Sequence, residues 1–138
     1  TILNDVSARS MSWGVADREV QEWDKFFDWL VGKGLDGFAP TGPWIVTADE
    51  IDDPHALSLK LELNGEVVQD ASTATMIFDC SALIAFISRF TTLEPGDMIA
   101  TGTPAGIGAV KGRFLKDGDV MVGTIGKIGS LRTPVVAR

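Results

Sequence analysis

From Leu57 to Leu63 apolar and polar residues alternate without a break, Leu-Ser-Leu-Lys-Leu-Glu-Leu. A period of two puts successive side chains on opposite faces, so this stretch predicts a half-buried strand with its leucines inward. Asn64-Gly65 follows, the pair best suited to a two-residue hairpin turn, and Glu66–Gln69 is expected to return antiparallel. Farther on, Val120–Ile125, a turn at Gly126-Lys127 and a return over Ile128–Val136 predict a second hairpin. Two shorter runs, Trp44–Thr47 and Met98–Ala100, also read as strands, the latter buried, and Ile2-Leu3 reads as the end of one. The period changes in two places. Val20, Trp23, Phe26, Phe27 and Leu30 recur three or four apart, which predicts an amphipathic helix over about 19–31, stopped by Gly32. Leu83, Ile84, Ile87 and Phe90 mark a second helix, with Asp79 or Ser81 as its cap and an end near Arg89–Thr91. The expected core is Leu57, Leu59, Leu61, Leu63, Leu83, Ile87, Ile99 and Val120. About six strands and two short helices, mostly in hairpin order, predict one domain that is mainly β with short helices (α+β), a mixed roll or open barrel.

The turns carry the candidate chemistry. Pro95-Gly96-Asp97 leads through Met98–Ala100 into Thr101-Gly102-Thr103-Pro104-Ala105-Gly106. Glycine lets a ligand approach the backbone, and the loop's N–H groups and hydroxyls suit an anionic or carbonyl ligand. The same residues also fit a plain tight turn. Phe114-Leu-Lys-Asp-Gly-Asp-Val120 echoes Leu93-Glu-Pro-Gly-Asp-Met98, each a turn ending in Gly-Asp that feeds a strand. Near the start, Asn4-Asp-Val-Ser-Ala-Arg9 places polar groups where a strand runs into a loop. Asp5 could ligate a hard cation, and Arg9 could clamp a carboxylate with its planar fork. On spacing alone, a helix cap at Asp5 or Ser7 carries more weight. Lys33 lies between Gly32 and Gly34, where a solvated lysine favoured by the helix dipole is the plainer reading. His55, the only histidine, ends the acidic turn-rich stretch 48–55 and reads as solvated or capping. Trp23, Phe26 and Phe27 read as packing, and Cys80 as a small buried or half-buried residue.

Composition narrows the partners. A net charge of −7 and a pI of about 4.5 argue against nucleic acid and anionic membrane, both of which need a basic face. No apolar run reaches the roughly 18 residues of a membrane helix. A single cysteine excludes an intramolecular disulfide and fits a reducing, cytoplasmic setting.

The pieces gain force together. Asn4-Asp-Val-Ser-Ala-Arg9, the Gly32-Lys33 pair, Pro40-Thr-Gly-Pro-Trp-Ile-Val46, Leu93-Glu-Pro-Gly-Asp97 and Thr101-Gly-Thr-Pro-Ala-Gly106 occur in this order. The set resembles the fumarylacetoacetate hydrolase superfamily over essentially the whole chain. The resemblance implies a β-roll holding one Mg²⁺ or Mn²⁺ and acting on 2-oxo acids or 1,3-dicarbonyl compounds by carbon–carbon bond hydrolysis, decarboxylation or enol–keto isomerisation. It implies Asp5 as a metal ligand, Arg9 as a carboxylate binder, Lys33 as a catalytic and substrate-binding cation, and Gly102 and Thr103 as substrate-binding donors. It also implies a homodimer.

Three features depart from the pattern the resemblance implies. No Glu-x-Glu, the source of the family's other two metal ligands, occurs in the chain. Ser10 and Ser12 stand where Asp and Gln are common, and Gly34 where Ser is common. Separately from these three, the chain opens on Thr1 rather than Met, which reads as a processed, partial or trimmed chain. We therefore expect the C-terminal part of a longer catalytic domain, with a non-catalytic binding or assembly module of the same fold as the alternative.

Overall fold

The structure, a computed structural model, describes residues 1–9, 15 and 17–137. The expected departures at Ser10 and Ser12 lie outside the described residues. The chain divides into two compact units, Thr1–Ile2 with Gly42–Arg138, and Leu3–Thr41. β1 (Ile2–Leu3) and β2 (Thr41–Gly42) form a two-stranded sheet, and each contains one of the points where the chain passes between units.

The larger unit is organised by a four-stranded antiparallel sheet. Its strands are β3 (Ser58–Leu63), β4 (Glu66–Ser72), β5 (Val120–Ile125) and β6 (Gly129–Pro134), in the spatial order β4-β3-β5-β6. The alternating leucine stretch is thus β3, flanked on both sides. Asn64 and Gly65 turn with φ of 52° and 83°, the left-handed pair a two-residue hairpin needs. β4 continues three residues past the expected Gln69, because Ser58↔Ser72 still pairs across a register shift at Leu61/Glu62. The fold is mainly antiparallel β with two short helices, as the pattern implies.

The core is smaller than expected and shifted. Leu57 and Leu63 are buried, with Ile2, Met121 and Ile128, whereas Leu59, Leu61, Leu83, Ile87, Ile99 and Val120 are half-buried. Val120 is out of phase with the inward face of its strand. Residues directly opposite in an antiparallel pair share a face, and Leu63 faces Met121, so Met121 points inward at 5% exposure. Ile2, Leu57 and Ile128 form one cluster, with Val46, Ile51, Ile125 and Leu131 packed against it.

Two expected strands are absent from the described residues. Met98–Ala100 is irregular backbone and Met98 is 63% exposed. Trp44–Thr47 is likewise unpaired, and Ile45 is 78% exposed. An apolar run becomes a strand only when a neighbour completes its ladder, and neither run pairs in either sheet of the described residues. The echo between the two Gly-Asp turns holds at the level of the turn. Asp97 accepts from the N–H of Glu94 and Asp119 from that of Lys116, each at 2.8 Å. Only the second turn feeds a strand.

The helices are shorter than their apolar stripes. α2 (Cys80–Ile87) is capped by Asp79, which accepts from the Ala82 N–H at 2.6 Å. His55 caps the same end, its Nε2 accepting from the Cys80 N–H at 3.0 Å. Cys80 is half-buried as expected. In the smaller unit α1 (Asp24–Val31) starts later than the pattern suggests. Arg18 reaches it with a forked pair to Asp28 at 2.8 and 3.0 Å. Trp23, Phe26 and Phe27 pack edge-to-face on one another rather than into a core and stay more than half exposed.

Candidate functional site

In the smaller unit, β1 ends at Leu3 and the segment from Asn4 leaves as irregular backbone. The Asn4 N–H donates to the Pro40 carbonyl at 3.0 Å, which anchors the start of this segment. Residues 6–9 are not helical, so the capping alternative for Asp5 and Ser7 is set aside. Farther along, the Ala8 N–H donates to the Gly32 carbonyl at 2.8 Å. The approach is close enough that a Cβ on Gly32 would stand 2.4 Å from the Ala8 carbonyl oxygen. Gly32 is buried and helical, at φ −60°, so it is needed for space rather than for a left-handed turn.

That contact delivers Lys33 to the segment. Its ammonium donates to the Asp5 carboxylate and to Ser7 Oγ at 3.1 Å. The Trp29 ring lies 5.1 Å from Nζ, near enough for a cation–π contribution. The Lys33 side chain is 25% exposed and that of Asp5 is 49% exposed. Lys33 is therefore held at a carboxylate beside the end of α1 rather than solvated there. Arg9 is exposed, and among the described residues no ion pair joins it to Asp5.

Gly102 and Thr103 lie in the larger unit, on a loop after Ala100, and both are exposed. Gly102 has a φ of 104°, which favours glycine, with open space where a Cβ would be. The loop is fastened to β4 at two points. A Cβ on Gly106 would stand 2.2 Å from the Val68 carbonyl oxygen. The Gln69 amide nitrogen donates to Thr103 Oγ1 at 2.9 Å and to the Pro104 carbonyl at 3.0 Å.

The structure thus joins Asp5 to Lys33 within one unit and fastens Thr103, next to Gly102 in the chain, to β4 in the other. Sequence reasoning missed three supporting residues. Ser7 lies in the Asn4–Arg9 segment, where no local pattern pairs it with Lys33. Trp29 stands one helical turn before Lys33, a spacing that brings side chains together. Gln69 is the one buried polar side chain among the described residues, at 8% exposure. A regular hairpin would set Gln69 opposite Lys60 on the other face; the register shift at Leu61/Glu62 places it opposite Leu61, and no sequence signal marks that shift.

The chain belongs to the fumarylacetoacetate hydrolase family, matching Fumarylacetoacetate (FAA) hydrolase C-terminal over residues 1–136. It is 44% identical over 138 residues to the mitochondrial oxaloacetate tautomerase of Xenopus laevis, covering 99% of this chain and 40% of that protein. Among solved structures it resembles a 2-hydroxyhepta-2,4-diene-1,7-dioate isomerase from Mycobacterium marinum, with TM-score 0.77 and 44% identity over 97% of this chain and 46% of the other. It also resembles a Sphingobium maleylpyruvate hydrolase in complex with manganese (II) ion and pyruvate, with TM-score 0.72 and 42% identity over 77% of this chain and 38% of the other. The chain spans less than half the length of these relatives. Family members are thus enzymes of several reactions, acting on small molecules, and one holds a divalent metal. No helix among the described residues is long and apolar enough to cross a membrane.

Proposed function

We propose that this chain is the C-terminal part of the catalytic domain of a metal-dependent enzyme. It acts on 2-oxo acids or 1,3-dicarbonyl compounds through an enolate, with hydrolysis of a carbon–carbon bond as the reaction. The observation that carries this reading is Lys33, pinned through Gly32 and Ala8 and aimed at Asp5 and Ser7. Nothing about a solvated lysine requires a glycine with no room for a Cβ behind it.

The chemistry follows from the groups. When the bond breaks, its electron pair moves onto the carbonyl oxygen of the leaving enolate. The Lys33 ammonium stabilises that charge as a preorganised donor. Water supplies hydroxide to the acyl carbon and a proton to the enolate carbon, leaving a carboxylic acid and a ketone. Arg9 binds the substrate carboxylate with its fork, fixing the angle of the scissile bond. The Gly102 N–H and the Thr103 hydroxyl donate to substrate oxygens.

Asp5 is one hard oxygen ligand of the kind Mg²⁺ or Mn²⁺ takes. A bound ion supplies Lewis-acid polarisation of a carbonyl. One carboxylate is not a complete site, and no group of three His, Cys, Asp or Glu among the described residues could hold an ion. The further donors therefore come from outside the described residues.

A second reading, enol–keto isomerisation, is supported by the tautomerase and isomerase relatives. It uses the same enolate and moves only a proton. The test is the full-length protein with Mg²⁺ or Mn²⁺ against acylpyruvates, oxaloacetate and hydroxymuconate-type diacids. Two acid products from an acylpyruvate support hydrolysis, carbon dioxide from oxaloacetate indicates decarboxylation, and a changed ultraviolet spectrum at constant mass indicates isomerisation. No turnover and no stoichiometric metal would make the chain a binding or assembly module.

A further inference from the structure

We propose that Gln69 is a positioning residue that sets the direction of the Thr103 hydroxyl proton, so that this hydroxyl faces a ligand as a donor. The inference rests on the substrate-binding reading of Thr103 and deepens it.

The side-chain amide of Gln69 has two ends that are hard to tell apart by shape, and the hydrogen-bond partners decide between them. One of its atoms lies 3.0 Å from the Pro104 carbonyl and 2.9 Å from Thr103 Oγ1. A carbonyl only accepts, so the atom facing Pro104 is the nitrogen. Both of its protons are then committed, one to Pro104 and one to Thr103. Thr103 Oγ1 is thereby an acceptor toward Gln69, and its own single proton must point elsewhere. Thr103 is exposed, so that proton is available to an incoming oxygen.

Burial makes the arrangement firm. Gln69 is 8% exposed, on β4 opposite Leu61. A buried amide without partners is costly, which keeps both donations made. The same strand excludes any side chain at Gly106, where a Cβ would stand 2.8 Å from the Gln69 Cγ. The loop is held from below by one backbone contact and one amide, and the amide also fixes the polarity of a hydroxyl.

The test uses the full-length protein with saturating Mn²⁺ and oxalate as the ligand, followed by calorimetry. Gln69→Met keeps the length and removes both donors. It should weaken oxalate about 10-fold while leaving Mn²⁺ affinity unchanged, the scale of one hydrogen bond to a charged group. Thr103→Val should weaken oxalate similarly, and the double variant should lose no more than Thr103→Val alone. Thr103→Ser should restore binding. If Gln69→Met does not fold, Gln69→Glu supplies the same comparison, since a carboxylate draws the Thr103 proton to itself. Weakening by Thr103→Val with unchanged affinity in the folded Gln69 variant overturns the positioning role alone. Additive losses overturn it as well. Unchanged affinity in Thr103→Val overturns the substrate-binding reading of Thr103 and the inference with it.

Discussion

Gly32 lies against Ala8 so closely that a Cβ at position 32 would stand 2.4 Å from the Ala8 carbonyl oxygen, and their backbones share a 2.8 Å hydrogen bond. The obstructing atom is backbone, so no rotamer change relieves it. Gly32→Ala should destabilise the chain by about 1–3 kcal/mol, the usual cost of overpacking, although alanine favours the helical φ found there. Urea unfolding measures it. A neutral or stabilised variant would show that the segment from Asn4 to Arg9 is free to move off α1.

Burial separates the leucines of β3, which the alternation alone treats alike. Leu63 is 7% exposed and Leu61 is half-buried. Leu63→Ala should cost about 2–5 kcal/mol and Leu61→Ala about 1–2 kcal/mol, since part of its surface is already wet. Equal losses in chemical denaturation would contradict the difference in burial between the two leucines.

The contrast marks how far the sequence could be read. Local rules sufficed where an element completes itself within a few residues. The Asn64-Gly65 hairpin, the Asp79 cap and the Val120–Ile125 strand all appear where the pattern puts them. Elements that depend on a distant partner were less legible. Met98–Ala100 has the composition of a strand and no neighbour to pair with. Ile2 is central to the core because the fold carries it to Leu57 and Ile128, more than fifty residues away in the chain. At the candidate site, Asp5 and Lys33 were marked out separately, as motif positions. Their meeting 28 residues apart depends on Gly32 and Ala8, which no local pattern couples.

Asn64 also ties the two hairpins together. Its side chain donates to Asp119 and accepts from the Val120 N–H, each at 2.8 Å. That donation, then the Lys116 N–H, holds the Asp119 carboxyl below its ordinary value of 3.8. A carboxyl lowered in the folded state stabilises it above the unfolded value, and the benefit is lost as pH falls through the folded one. Asn64→Asp tolerates the left-handed turn but replaces the donor with a like charge. The Asp119 titration followed by NMR should move upward, and acid unfolding should begin at higher pH. An unmoved titration would assign the lowering to the Lys116 N–H instead.

Asp5→Asn tests the metal ligand. The side chain is 49% exposed, and a half-exposed ion pair contributes little to stability. The variant should keep its unfolding midpoint and lose most of its Mn²⁺ affinity in the full-length protein. Unchanged binding in calorimetry would remove Asp5 from the coordination sphere.

Lys33→Met separates a catalytic cation from a structural one. Methionine keeps most of the length and the contact with the Trp29 ring, and removes only the charge and its donors. The ion pair with Asp5 is partly exposed, so the folded state should lose under about 1 kcal/mol. A cation that meets charge formed only as the bond breaks acts in the transition state and not on bound substrate. The turnover number should therefore fall by about 100-fold or more, the scale of one preorganised donor, while the Michaelis constant changes by only a few-fold. Near-normal turnover would leave Lys33 as a surface lysine paired to Asp5. A raised Michaelis constant at unchanged turnover would assign it to binding alone.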